Sequence, residues 1–97
     1  MTAKVIMCVN QKGGVSKTRS IIETAYISGS IHNKNILVID LDAQHNTSDL
    51  ITDDLSEKGI FDLLAFDSPI ESLLKPAKDV FKNTICLTAD QRLSNID

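Results

Sequence analysis

The chain has 97 residues, with 10 Lys and Arg against 13 Asp and Glu, a formal charge of −3, 42% hydrophobic residues and no Trp. A chain this short supports one small domain that buries roughly 60 to 65% of its unfolded surface. With three Phe and one Tyr, its core must be aliphatic. No run approaches the ~20 apolar residues of a membrane span and the amino terminus carries no signal-peptide pattern, so the sequence reads as cytoplasmic and without membrane contact. Outside one short loop there is no basic stripe, which argues against direct DNA binding by this segment. Cys8 and Cys86 lie within apolar runs and read as buried, inert thiols, while His32 and His45 stand alone, so neither a disulfide nor a zinc site is expected.

In chain order, residues 4–9 contain the continuous apolar run Val5-Ile6-Met7-Cys8-Val9, the pattern of a parallel strand covered on both faces. From Lys17 to His32, the residues Ile21, Ile22, Ala25, Tyr26 and Gly29 recur at helical spacing and predict one apolar helix face. Asn33-Lys34-Asn35 ends that helix and leads into a second strand over 36–40, completing a right-handed βαβ unit. Residues 43–58 are polar, with Leu50, Ile51 and Leu55 as apolar anchors, and predict a loop holding a short helix. Lys58 to Phe66 reads as helical; Pro69 then opens another short helix, Ile70 to Leu74, which Pro76 closes. Asn83 precedes a third strand over 85–88, and Ala89 to Asp97 reads as a polar tail with no room to finish an element. Residues 1–97 therefore form a single α/β domain, a three-layer arrangement around a parallel sheet.

Between the first strand and the helix runs Asn10-Gln11-Lys12-Gly13-Gly14-Val15-Ser16-Lys17-Thr18. Such a loop binds phosphate when backbone N–H groups curl round the anion at the positive end of the following helix. Gly13 and Gly14 permit close backbone approach, Lys17 supplies a point charge, and the Thr18 hydroxyl suits magnesium. The general pattern G-x-x-x-x-G-K-[ST] is broken at both fixed glycines, by Gln11 and Ser16. The loop by itself is therefore also compatible with a plain Gly-Gly turn and a solvated Lys17. The second strand, Ile36-Leu37-Val38-Ile39, ends in Asp40 and Asp42, the order in which a nucleotide site places its carboxylates. Either Asp would equally serve to cap the loop that follows it.

Together the two segments resemble the ParA/Soj branch of the ParA–MinD family of P-loop ATPases. Lys12 to Thr18 follow that family's deviant Walker A motif, K-G-G-V-G-K-[ST], except at Ser16, and Leu37 to Asn46 follow L-L-I-D-x-D-P-Q-G-N with Ala43 for Pro and His45 for Gly. Gly59-Ile60-Phe61-Asp62-Leu63-Leu64 is similar to the family's next short helix. The resemblance implies a P-loop NTPase-like sheet, ATP or ADP with Mg2+ as cofactors, and phosphate contacts from Lys12, Gly13, Gly14, Val15, Ser16, Lys17, Thr18 and Arg19. Lys12 would act in trans on a partner's phosphates, Thr18 would hold the metal directly, Asp40 would stand in its outer shell, and Asp42 would position the attacking water. Ser16 is expected to weaken binding, by Cβ crowding or, if its backbone must be left-handed, by strain of about 1–2 kcal/mol. Arg19 replaces a second Thr that touches the α-phosphate.

The sequence stops before a segment resembling the Walker B pattern h-h-h-h-D-x-P, so the expected sheet is truncated there. In the family's fold that strand lies between the first strand and the one ending at Asp42. The gap would close by pairing those two strands, by insertion of the tail, or by recruiting a strand from another copy. The last is favoured because the tail is polar, which predicts a homo-oligomer. A full-length ParA-like protein or a ParB-like protein are the other implied partners. Two functions remain: a partition or segregation ATPase with a degraded loop, or a non-enzymatic regulator that acts by binding a partner.

Overall fold

The computed structural model describes residues 5–9, 15–54 and 56–95, with the backbone alone at 5–9, 15–18 and 95. The predicted elements at Lys12, Gly13, Gly14 and Leu55 lie outside the described residues. Strand β1 (Val5–Val9) is followed by helix α1 (Val15–Tyr26), which continues as a wider π-helical turn over Ile27–Ile31. Strand β2 (Ile36–Asp40), helix α2 (Asn46–Ile51), helix α3 (Ile60–Phe66) and a 3-10 turn (Ile70–Ser72) come next. The chain then forms β3 (Lys75–Pro76), β4 (Thr84–Leu87) and a second 3-10 turn (Gln91–Asn95).

The sheet order is β1-β2-β4-β3, with β1, β2 and β4 parallel and β3 antiparallel. Alternation along β2 builds a core on each face. Ile36 and Val38 pack with Ala25, Ile51 and Phe81 on one side, flanked by Ile21 and Ile22 of α1. On the other, Leu87 packs with Ile60 and Leu73, flanked by Ile39 and Leu63. The three-layer α/β architecture is therefore present.

Several expectations need correction. The two strands that were to flank a gap pair directly, Val5 with Ile36 through Val9 with Asp40, so the sheet has no central gap among the described residues and recruitment of a foreign strand loses its reason. Pro76 does not merely close a helix. It lies in β3, where the missing N–H is tolerated at an edge and its carbonyl accepts the Thr52 hydroxyl at 2.7 Å. The tail does form an element, because Arg92 anchors it, as described below. Tyr26, placed on the apolar face by periodicity, is exposed, as is Leu50.

Two glycines fix how the helices cross the loops. A Cβ at Gly29 would stand 2.1 Å from the Lys82 carbonyl oxygen, so only glycine lets the π-helical turn settle on the 80–84 loop. There Asn83, in left-handed backbone at φ 57°, donates its side-chain amide to the Gly29 carbonyl at 3.2 Å and to Asn33 Oδ1 at 2.9 Å. Gly59 approaches Thr88 as closely, and the Ile60 N–H donates to the Thr88 carbonyl at 2.8 Å. This contact ties the start of α3 to the end of β4.

Candidate phosphate site at the carboxyl edge of the sheet

Parallel strands bring their carboxyl ends to one edge, where α/β proteins place ligands. Because Val9 is in register with Asp40, the chain leaves β1 level with the acidic end of β2, and α1 begins at Val15. The phosphate-loop sequence therefore spans from the carboxyl end of β1 to the amino end of a 12-residue helix. That end carries partial positive charge, and no acidic residue occupies the first turn of α1, whereas α2 and α3 carry Asp49 and Asp62 there.

Val15, Ser16, Lys17 and Thr18 form the first turn of α1 by backbone. Ser16 is thus in right-handed helical backbone, where glycine is not needed, so the left-handed strain considered above does not arise. Arg19 is exposed and pairs with Glu23 one turn on, Nε to Oε1 at 3.2 Å. It is held along the outside of the helix.

Asp40 is 1% exposed, and its carboxylate accepts three hydrogen bonds. Oδ1 accepts the Asp42 N–H at 3.0 Å, and Oδ2 accepts both the Ser48 N–H at 2.9 Å and the Ser48 hydroxyl at 2.7 Å. Burial pushes its pKa up, against the downward pull of these bonds. Asp42 is half-buried. Its Oδ1 accepts the Gln44 N–H at 3.0 Å and its carbonyl accepts the His45 N–H at 2.8 Å, which turns the chain, with His45 at φ 50°, into α2. The capping role considered for both carboxylates is thus realised in the bonds they make. Thr47, the second residue of α2, is buried, and its hydroxyl has no hydrogen-bond partner among the described residues.

Sequence reasoning missed Ser48, whose hydroxyl also accepts the Ala89 N–H at 2.9 Å. It missed as well a cleft of about 290 Å³ beside α2, lined by His45, Ser48, Asp49, Asp54, Glu57 and Asp90 among others. Four carboxylates give that lining an acidic character, which disfavours a polyphosphate there. Among the described residues no His, Cys, Asp and Glu cluster is arranged to hold a metal ion, and no described helix is long and apolar enough to cross a membrane. Cys86 is buried and its thiol is pushed up to about 11 by burial, a structural sulfur.

A parallel strand followed, through a lysine- and glycine-containing sequence, by a helix, beside a strand that ends in Asp40, is the arrangement of a P-loop fold. Residues 3–97 match the family described as AAA domain, and the chain belongs to that family. It is ParA-like. The chromosome partitioning protein ParA of Myxococcus xanthus (strain DK1622) is 38% identical over 88 residues, a match covering 88% of this chain and 31% of that protein. The chain thus spans about a third of the curated relative's length. The fold is shared with cobyrinic acid a,c-diamide synthase from Mycobacterium smegmatis, solved with bound ADP and magnesium: TM-score 0.70, 23% identity, covering 96% of this chain and 37% of that one.

Proposed function

We propose that the chain carries the phosphate-binding part of a ParA-like partition ATPase, and that its loop binds ATP or ADP with Mg2+ weakly. The observation that supports this reading is the edge just described: the Lys12–Thr18 sequence joins β1 to an α1 whose first turn lacks acid, level with Asp40 and Asp42. Lys17 and the N–H groups of the first turn would hold the phosphates, Thr18 the metal, and Asp42 would orient water. Bound magnesium would neutralise charge on the phosphates. Lys12 would reach the phosphates of a second copy, so nucleotide rather than strand exchange would drive assembly.

Ser16 and the outward pairing of Arg19 favour a second reading, in which the chain acts by binding a ParA-like or ParB-like partner without turnover. Calorimetric titration with ATP and Mg2+ tests the first. The unaltered chain should bind weakly, Ser16→Gly should bind on the order of tenfold more tightly by relieving crowding, and Lys17→Ala should not bind. Tight binding by the unaltered chain, or no effect of Lys17→Ala, would contradict the proposal. Measurable phosphate release by Ser16→Gly would separate the ATPase from the binding protein.

A further inference from the structure

The segment between β2 and α2 is closed at both ends by one carboxylate. Asp40 Oδ1 holds the Asp42 N–H at its start, and Oδ2 holds the N–H and hydroxyl of Ser48 at its end. The same Ser48 hydroxyl accepts the Ala89 N–H, so the end of β4 is fastened to this closed turn. All three residues are buried: Asp40 1%, Ser48 5% and Ala89 8% exposed. A serine hydroxyl offers one hydrogen and accepts through its lone pairs, and here one side faces Asp40 and the other Ala89. Such a shared buried group fixes geometry more firmly than separate surface bonds.

We infer that Ser48 is a positioning residue for Asp42: by orienting the Asp40 carboxylate from one side and Ala89 from the other, it sets the backbone of the 40–42 turn and so the place of the Asp42 carboxylate at the phosphate edge. This deepens the nucleotide reading and rests on it only for the role of Asp42. It divides labour between the two carboxylates, Asp40 holding the turn and Asp42 facing the chemistry, in place of the outer-shell metal role implied for Asp40. It also makes the register of β4 felt at the site, since Ala89 lies two residues past the end of that strand.

The test is residue-resolved amide hydrogen exchange on the whole chain for Ser48→Ala and Ser48→Thr, alongside titration with ATP and Mg2+. In Ser48→Ala the amides of Asp42 and Ala89 should both exchange about tenfold or more faster than the change at Val38 and Cys86 accounts for. Ser48→Thr, which keeps the hydroxyl, should restore protection at both. Acceleration at Ala89 alone, or equal acceleration at every amide, would overturn the inference, because Ser48 would then only hold β4 or only contribute stability. Should the alanine variant not fold, Ser48→Cys, a weaker donor of similar size, gives the same readings. Failure of every form to bind nucleotide would remove the proposed function, whereas the exchange pattern decides the positioning role by itself.

Discussion

Two acidic clusters in this small domain solve the same problem in opposite ways. Asp40 is buried and meets only neutral donors among the described residues, two N–H groups and one hydroxyl. Asp62 and Asp90 flank Arg92, whose guanidinium donates to Asp90 Oδ2 at 2.8 Å and Asp62 Oδ2 at 3.0 Å, and to the Glu57 carbonyl, while lying 4.5 Å over the Phe61 ring. The difference shows in the proton affinities. Burial, the main influence on Asp40, raises its pKa. At Asp90 the Arg92 bond dominates and lowers it; at Asp62 burial is the largest single influence, yet the Gly59 N–H and Arg92 outweigh it and the value falls. One guanidinium there holds two carboxylates, and the Arg92 cluster serves to pin the tail to α3. Asp40 instead lies at the end of β2, level with the end of β1.

The largest expected effect separates these roles. Asp40→Ala strands the buried N–H of Ser48 and that of Asp42, and should cost about 3 kcal/mol by chemical denaturation, since each unmet buried donor costs roughly 1–3 kcal/mol. Arg92→Ala should cost less, about 1–2 kcal/mol, because the pairs are partly solvated and water can replace them. It should release residues 89–95 to fast amide exchange while leaving those of β2 protected. An Asp40→Ala effect no larger than that of Arg92→Ala would erase the contrast.

Acid should sharpen it further. Asp62 and Asp90 have folded-state values below their ordinary 3.8, so their stabilisation is complete above that pH and is lost as pH falls through the folded values. Asp40 is raised above 3.8, so ionisation costs folded stability at neutral pH, and that cost is relieved as pH falls through its folded value. Denaturation midpoints against pH should therefore rise gently before dropping below about pH 4. Asp40→Asn should flatten the rise, and Arg92→Ala should soften the drop.

Much of this was legible in the sequence where side chains report burial locally. The apolar runs marked β1, β2 and β4, and helical spacing marked α1. What escaped depends on distant partners. Lys75 and Pro76 carry no strand pattern, yet β3 forms because Cys86 and Ile85 lie opposite and the buried Lys75 ammonium finds the Asp54 and Ser56 carbonyls. Ser48 and Thr52 stood in a polar stretch that reads as loop; their burial comes from bonds to Asp40, Ala89 and Pro76 that no local window contains. Direct pairing of β1 with β2 was legible only as one of three options, since the choice is made by the whole sheet.

The most direct measurement is a nitrogen–proton correlation spectrum of the chain titrated with ATP and Mg2+, run beside Lys17→Ala. Shifts confined to Lys12–Arg19 and Asp40–Gln44, absent in Lys17→Ala, are the predicted result. Shifts centred on Asp49, Glu57, Asp90 and Arg92, or shifts that persist in Lys17→Ala, would contradict a phosphate site at the β1–β2 edge.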